Sequence, residues 1–365
     1  MRYNYFGDDM NYKELSLQEK IGQKFMFGVN SHNIDVIVKL IENYFIGGVI
    51  LYKNNYNNYD EMLSVIKRLK KANSRNKIPL FIAVDQEGGR VNRMPSEFKN
   101  LKNIYDVSRV DSEIVYDYAK VIGEMLFKTG INMNFSPVLD INEDNGSKVM
   151  HNRCFYGNAY DVSTDSERYI RGLNEKGIVS VVKHFPGHGI SRIDSHFFAP
   201  YIRDYKKVLE KHILPFDSAI KNGVDAVMVS HLVIKNMTNG LPASISNNFI
   251  SEYLRKRNNF DGLVITDEIN MLSRNIIYRF SYLKNAFLSG SDIILVKIKK
   301  DGANIINKYS KIVNSNKEYL KMLDDSVERI IKVKDKYKIS DDTLEYRCDI
   351  DKINEEIDRI NKVCL

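Results

Sequence analysis

The sequence has few cysteines, no tryptophan and no long hydrophobic run. Its 365 residues include three cysteines, Cys154, Cys348 and Cys364, and no Cys-x-x-Cys pair. Because so sparse a set forms no disulfide framework, we expect a reducing compartment. No apolar stretch approaches the roughly 20 residues that a membrane helix needs, so no membrane partner is expected. The N-terminal segment has Asp8 and Asp9 and no apolar core, so we expect no secretory signal and a cytoplasmic protein.

The positive charge of the chain does not by itself indicate a nucleic-acid partner. The formal net charge is +7, and the densest lysine runs are 67–71 and 297–300. Both runs lie on or beside amphipathic segments, where such charges usually form a solvated face, so we expect no nucleic acid to bind. No linker rich in proline, glycine and serine divides the chain, so one domain is expected over residues 1–365. The oligomeric state does not follow from the sequence.

Short apolar segments alternate with longer segments of helical spacing along the chain. Continuously apolar strands are typical of a parallel sheet that is covered on both faces. The predicted strands are Phe25–Val29, Gly48–Tyr52, Leu80–Asp85, Asn132–Asp140, Ser180–Phe185, Ala226–His231, Leu263–Asp267 and Asp292–Val296. The predicted helices between them are Ile34–Tyr44, Tyr59–Ala72, Ile114–Thr129, Ser166–Lys176, Tyr205–Asn222, Asn247–Lys256 and Asn275–Leu288.

About eight strand–helix units predict an α/β fold of the (β/α)8 barrel type. We expect the barrel over about residues 15–300 and further helices outside it over about residues 305–365. A doubly wound open sheet is the alternative architecture, because strand order cannot be read from the sequence.

Polar side chains recur at the C-terminal ends of the predicted strands. They are Asp85, Asp140, Lys183 with His184, His231 and Asp267. Each one alone could cap a helix or satisfy a loop. In a barrel, however, these strand ends converge on the face where active sites are built, so their repetition predicts a site there.

Two motifs are compatible with the binding and cleavage of a sugar. In the segment from Phe81 to Arg93, acids and arginines flank a Gly-Gly turn. A carboxylate beside an arginine can grip vicinal hydroxyls or an acidic substituent, although such a pair can also simply close a loop. Asp267 follows a buried strand directly, where a carboxylate could attack an anomeric carbon; its alternative role is to cap the next helix.

Histidines cluster in a third motif, which runs from Val182 to Gly189 and continues to His196. Together with His184 and His188, His196 suggests a metal site at first sight. The spacing differs from the close His-x-His pair typical of zinc-dependent barrel hydrolases, so we expect no metal and no other cofactor. Asp194 and His196 form a better dyad, in which the carboxylate orients the imidazole as a proton shuttle.

These motifs together resemble the family three glycoside hydrolases, and within them the β-N-acetylglucosaminidases of the NagZ type. The resemblance runs from about Leu15 to Val296. The most specific segments are Asp85-Gln-Glu-Gly-Gly-Arg90, Lys183-His-Phe-Pro-Gly-His-Gly189 and Asp194-Ser-His196, supported by Asn134-Phe-Ser-Pro-Val-Leu-Asp140 and Thr266-Asp267. The chain departs from the family at Ile190-Ser191, and Glu268 stands where the family often has Asp or Ala.

The resemblance implies a function and a set of site residues. It implies a retaining exo-enzyme that removes terminal β-linked N-acetylglucosamine, with Asp267 as nucleophile and Asp194–His196 as acid/base dyad. The implied sugar-binding residues are Asp85, Arg93, Arg153, Lys183 and His184. The expected partner is a small carbohydrate containing N-acetylglucosamine, such as a muropeptide recycled from the cell wall. A β-glucosidase, a phosphorylase and a non-catalytic sugar-binding protein are the alternatives.

Overall fold

Eight parallel strands form the centre of the molecule. The computed structural model describes residues 11–30, 33–142, 150, 152–191, 199–269, 280–297, 302–342 and 347–364. Within them the strands are β1 (Phe25–Gly28), β2 (Gly48–Leu51), β3 (Phe81–Val84), β4 (Met133–Asn134), β5 (Val179–Phe185), β6 (Tyr201–Ile202), β7 (Ala226–Val229), β8 (Val233–Ile234), β9 (Leu263–Thr266) and β10 (Ile294–Lys297).

The large sheet closes on itself as a barrel. Its strand order is β10-β1-β2-β3-β4-β5-β7-β9, with every pair parallel. A parallel bridge between Ile265 and Ile293 joins the two ends, and the Thr266 N–H donates to the Ile293 carbonyl at 3.0 Å. The predicted (β/α)8 barrel is therefore confirmed, and the alternative of an open doubly wound sheet is wrong.

Helices surround the barrel. They are α1 (Leu17–Gln23), α2 (Ile34–Tyr44), α3 (Tyr59–Asn73), α4 (Ile104–Val110), α5 (Ile114–Phe127), α6 (Ala159–Asn174), α7 (Tyr205–Lys207), α8 (Leu214–Lys221), α9 (Asn247–Phe249), α10 (Phe280–Leu288), α11 (Gly302–Val313), α12 (Lys317–Lys336) and α13 (Ile350–Lys362). Two π-helical segments, Val208–His212 and Ile250–Lys256, continue α7 and α9. None of the helices in the described ranges is both long and apolar enough to span a membrane.

Helix α6 and the strands β4, β6 and β8 differ from the sequence-based expectation. Helix α6 begins at Ala159, before the predicted Ser166, because Asn158 caps it: the Asn158 side chain accepts from the Asp161 N–H. Regular pairing in β4 ends at Asn134, before Pro137, which has no N–H to donate to a neighbouring strand. Strands β6 and β8 form a separate two-stranded parallel sheet that was not predicted.

Alternation of side chains along the strands builds two apolar layers. Met26 points into the barrel, whereas Phe25 and Phe27 pack between the strands and the outer helices. Ile330 and Val333 of α12 join the interior layer. This helix therefore packs onto one end of the barrel.

That end is the N-terminal end of the strands. The buried ammonium of Lys334, on α12, donates to the Gly47 carbonyl at 3.0 Å and to the Pro79 carbonyl at 2.6 Å, just before β2 and β3. It also reaches the Gln23 side chain, just before β1, at 2.9 Å. Since α12 covers this end, a ligand would reach the barrel from the C-terminal end of the strands.

Candidate active site

The C-terminal ends of the strands open onto a pocket of about 340 Å³. Its described lining residues are Ile50, Tyr52, Asp85, Val91, Arg93, Phe135, Met150, Arg153, Lys183, His184, His188, Met228, Asp267, Glu268, Leu295 and Lys297. A volume of this size suits a small ligand. Asp194 and His196 belong to residues 192–198, which lie outside the described residues.

The pocket brings together six of the predicted site residues. Five of them were predicted to bind sugar, and the sixth was predicted to be the nucleophile. They are Asp85, Arg93, Arg153, Lys183, His184 and Asp267. Residues far apart in the chain thus meet because they lie in, or follow, four barrel strands, β3, β4, β5 and β9.

A buried ion-pair cluster forms one wall of the pocket. The Lys183 ammonium lies 2.7 Å from the Asp85 carboxylate and 2.6 Å from that of Glu87. The Arg153 guanidinium grips Glu87 with two parallel hydrogen bonds of 2.8 and 2.7 Å. Arg93 stands 3.7 Å from the second oxygen of Asp85. The cluster thus has more cationic than anionic groups, and these donors can bind hydroxyl oxygens.

The charge state of Glu87 follows from its partners. Burial alone would raise the pKa of this carboxyl, but the charges of Arg153 and Lys183 outweigh burial and hold the pKa well below its ordinary value. Glu87 is therefore ionised across the neutral range. It fixes Lys183 and Arg153 in place, since a bidentate carboxylate–guanidinium pair is both strong and directional.

The Gly-Gly turn shapes the loop that carries Glu87. The backbone φ of Gly88 is +86°, and a Cβ there would lie 1.8 Å from the Tyr118 hydroxyl. That hydroxyl lies 2.8 Å from the Glu87 carbonyl. The Arg93 N–H donates to the Gln86 side chain at 2.7 Å. The turn therefore needs glycine at position 88 for its backbone conformation and for the close approach of Tyr118, in addition to the charged side chains of the motif.

His184 is held by Asp140. The Asp140 carboxylate lies 2.7 Å from His184 Nδ1, and its other oxygen accepts from the His188 N–H. Burial would raise the pKa of Asp140, but His184 and the hydrogen bonds lower it overall, so the carboxylate is charged. Asp140 therefore fixes the ring orientation of His184 and turns its Nε2 edge away from the partner.

Asp267 lies among imidazoles. Its backbone N–H donates to the Val229 carbonyl at 2.9 Å, and its Oδ1 accepts from the Glu268 N–H at 2.7 Å. Burial would raise the pKa of Asp267, but His231, His184 and the Glu268 N–H lower it below the ordinary aspartate value. The carboxylate is thus charged at neutral pH, as a nucleophile must be.

His231 supports the backbone behind Asp267. Its Nε2 lies 2.9 Å from the Glu268 carbonyl, and its Nδ1 lies 2.6 Å from the Ser244 hydroxyl. Because Glu268 donates its own N–H to the Asp267 carboxylate, His231 restrains the residue that orients the proposed nucleophile.

Several residues that line the pocket or hold its lining side chains had been given no role from the sequence. Glu87 and Asp140 lie inside two of the segments on which the resemblance rests, and Asp140 and His231 were already noted at strand ends. Tyr52 and Lys297, at the ends of β2 and β10, had no motif; the Lys297 ammonium lies 4.8 Å from the centre of the Tyr52 ring. Their position at a strand end is the signal that could have found them.

Metal-binding groups are not clustered in the described part of the chain. Within those ranges no set of three or more His, Cys, Asp or Glu side chains is placed to hold a metal ion.

Comparison with known proteins supports the same class of protein as the fold and the site do. Residues 16–333 match the glycosyl hydrolase family 3 N-terminal domain. The chain is 34% identical over 266 residues to a beta-hexosaminidase of Psychromonas ingrahamii, with 71% of this chain and 77% of that protein covered. It is 31% identical over 274 residues to a beta-hexosaminidase of Haemophilus influenzae, with 73% of this chain and 76% of that protein covered.

A solved structure shows the same likeness over nearly the whole chain. The family 3 beta-N-acetylglucosaminidase from Paenibacillus sp. str. FPU-7 matches with a TM-score of 0.86 and 31% identity, covering 96% of this chain and 69% of that one. Fold, site and relatives together define a glycoside hydrolase. The chain belongs to glycosyl hydrolase family 3.

Proposed function

We propose that the protein is a retaining exo-β-N-acetylglucosaminidase that releases terminal, non-reducing, β-linked N-acetylglucosamine. The relatives named above support the sugar, because they are beta-hexosaminidases and a beta-N-acetylglucosaminidase. The observation that carries the proposal is the buried, charged Asp267 carboxylate, which faces a sugar-sized pocket lined with basic groups.

Asp267 is the proposed nucleophile. Its carboxylate attacks the anomeric carbon, and the bond from that carbon to the leaving oxygen breaks. A glycosyl ester on Asp267 results, and water then cleaves it with net retention of configuration. The Glu268 N–H holds Oδ1, so the two carboxylate oxygens have different surroundings. This contact and the nearby imidazoles keep the carboxylate ionised before the attack.

Asp194 and His196 are the proposed acid/base dyad. His196 would protonate the leaving oxygen and later remove a proton from the attacking water, with Asp194 orienting the ring. An imidazole in this role adds no negative charge beside Asp267, whose own charge must persist for attack. The proposal rests on the motif, since both residues lie outside the described residues.

The buried ion-pair cluster is the proposed grip on the sugar. Lys183, Arg93 and Arg153 can donate to sugar hydroxyls, while Asp85 can accept from them. His184 offers a further polar edge, since Asp140 occupies its Nδ1. Donors and acceptors fixed in this way fit a ring that carries several hydroxyls.

Cell-wall fragments are the proposed natural substrates. The excess of cationic groups in the pocket wall favours an anionic unit beside the N-acetylglucosamine, such as a muramic acid residue. Such fragments would be met in the cytoplasm during recycling. We also propose that the whole chain is one catalytic domain, since α11 and α12 pack against α1, and α13 packs against α5.

Replacing the nucleophile tests the function directly. Asp267→Ala should lower turnover of an aryl β-N-acetylglucosaminide by at least about 10⁴-fold, because no other group in the mechanism forms the glycosyl ester. The measurement is the release of the phenol by the purified variant. Asp261→Ala, which alters an exposed aspartate near the start of the same strand, is the matched control. An Asp267→Ala variant as active as this control would contradict the proposal.

Substrates with different leaving groups test His196. His196→Ala should reduce kcat/KM about 10²- to 10⁴-fold for a glycoside with a poor leaving group, because the departing oxygen then lacks its acid. The loss should be much smaller for nitrophenol, which leaves without protonation. Equal losses with both leaving groups would remove His196 from the role of general acid. The same assays with and without phosphate separate hydrolysis from phosphorolysis.

A further inference from the structure

His188 is a buried imidazole at the pocket wall whose ring has no hydrogen-bond partner in the described part of the chain. Only 2% of the residue is exposed, and among the described residues neither ring nitrogen has a partner. The ring lines the same pocket as Asp267 and stands 6.0 Å from the ring of His184.

The other imidazoles at these strand ends each have a partner on at least one ring nitrogen. His184 lies against Asp140, and both nitrogens of His231 have partners. A buried polar group without a partner destabilises a fold, so its retention beside a pocket calls for a ligand that completes it. His188 therefore differs from its neighbours in that its two polar atoms remain available to a bound molecule.

The backbone holds His188 in this position. Its N–H donates to the Asp140 carboxylate, and a Cβ on the next residue, Gly189, would lie 2.0 Å from the Ile141 carbonyl. The ring is thus carried on a segment packed tightly against the loop after β4. This packing restricts the movement of the His188 ring toward other parts of the protein.

The imidazole of His188 is neutral at neutral pH. Burial lowers its pKa, and the nearby charges of Asp140 and Asp267 only partly oppose that effect. A neutral imidazole has one N–H donor and one acceptor nitrogen. It therefore pairs best with a group that offers one acceptor and one donor.

The chemistry of the sugar ring limits which substrate group can pair with the His188 imidazole. Asp267 must face the anomeric carbon, whose ring neighbours are the ring oxygen and C2. The ring oxygen becomes electron-poor in the oxocarbenium-like transition state, so it is a poor partner for an N–H donor there. The C2 substituent of the proposed substrate is an acetamido group, which carries one N–H and one carbonyl oxygen.

We infer that His188 recognises the 2-acetamido group of the substrate and so selects N-acetylhexosaminides over plain hexosides. This inference rests on the proposed function and adds a specificity-determining residue to it. An imidazole with no partner among the described residues lowers the stability of the free enzyme, and in the complex the amide pairs with it. A hydroxyl at C2 is too short and too poor in polar atoms to replace the amide fully.

Two substitutions of His188 distinguish the effect of its ring shape from the effect of its polar atoms. His188→Phe keeps a flat ring but removes both polar atoms, whereas His188→Gln keeps one donor and one acceptor. We expect His188→Phe to reduce the ratio of kcat/KM for aryl β-N-acetylglucosaminide to that for aryl β-glucoside about 10- to 100-fold. His188→Gln should recover part of that ratio. His212→Asn is the control, since His212 is buried but is not among the described residues that line the pocket.

Stability provides an independent readout. Because His188→Phe removes unsatisfied polar atoms, its melting temperature without ligand should equal or exceed that of the wild type. A lower melting temperature together with lost activity would assign His188 a structural role and overturn the inference. Equal losses on both glycosides, with the ratio unchanged, would overturn it as well. If the wild type itself fails to cleave the N-acetylglucosaminide, the proposed function fails instead.

Discussion

Glu87 and Asp267 are both buried carboxylates, yet their surroundings suit them to different work. Glu87 is gripped by Arg153 and Lys183, so both of its oxygens are occupied. Within the described ranges, the close donor to Asp267 Oδ1 is the Glu268 N–H, and the carboxylate faces the pocket among imidazoles. Strong pairing makes a carboxylate a poor nucleophile, so Asp267 is the better candidate for attack and Glu87 for positioning.

Neutralising Glu87 should therefore weaken both fold and activity. Glu87→Gln leaves the charges of Lys183 and Arg153 without their shared carboxylate, which we expect to cost roughly 3 kcal/mol of unfolding free energy. It should also lower kcat/KM, since those two groups are the proposed sugar grip. Urea unfolding and steady-state kinetics measure the two effects. Glu113→Gln, at an exposed ion pair with Arg168, is the matched control and should change little.

Lowering the pH should remove the contribution of the Glu87 charge to the free energy of unfolding. The pKa of Glu87 is lowered in the folded protein, so its stabilisation is present above the unfolded pKa of about 4.5 and is lost as the pH falls further. The stability gap between wild type and Glu87→Gln should thus shrink between about pH 5 and pH 3. A gap that stays constant over this range would show that the Glu87 charge does not stabilise the fold.

Strand β5 and the segment after it carry much of the pocket wall. They supply Lys183, His184 and His188, and Gly189 sets how closely this segment approaches Ile141. Because Gly189 has no Cβ, the segment that carries His188 can lie close to Ile141.

Gly189→Ala tests the importance of this close approach. The added Cβ would meet the Ile141 carbonyl, and we expect a loss of about 1–3 kcal/mol in stability and at least about tenfold in kcat/KM. Gly240→Ala is the control, since no atom lies within 4 Å of a Cβ there and only the φ of +75° is strained. If Gly189→Ala keeps the kcat/KM of the control, the segment does not position the site.

Most elements could be predicted from the sequence because their signals are local. The predicted helix Ile34–Tyr44 is confirmed to the residue, and the eight strands were identified by their apolar runs. The early start of α6 was missed because the capping signal of Asn158 and Asp161 lies in a polar stretch. The two-residue strands β6 and β8 are too short to produce a pattern at all.

The site was predictable only in part, for a related reason. Strand ends and motifs identified the carboxylates and cations, but partners are set by tertiary contacts. That Glu87 joins Lys183 to Arg153, or that His188 lacks a partner among the described residues, depends on residues distant in the chain. The roles of Asp194 and His196 stay predictions.

At the scale of the whole molecule, the two ends of the barrel are unlike. Helix α12 covers the N-terminal end, where Lys334 ties together the segments that precede β1, β2 and β3. The opposite end holds the pocket with its charged and polar side chains. The fold thus separates a closed end that stabilises the barrel from an open end that is free to bind substrate.

The most direct test of the account is the capture of the glycosyl-enzyme. A 5-fluoro derivative of N-acetylglucosaminyl fluoride should form the ester and release it slowly, because the ring fluorine destabilises the oxocarbenium-like transition states while fluoride remains a good leaving group. Mass spectrometry of the digested wild type should then find one added fluoro-N-acetylglucosaminyl group, on the peptide that contains Asp267. A label on any other residue, or no label in an enzyme that turns over the aryl N-acetylglucosaminide, would contradict the assignment of Asp267 as nucleophile.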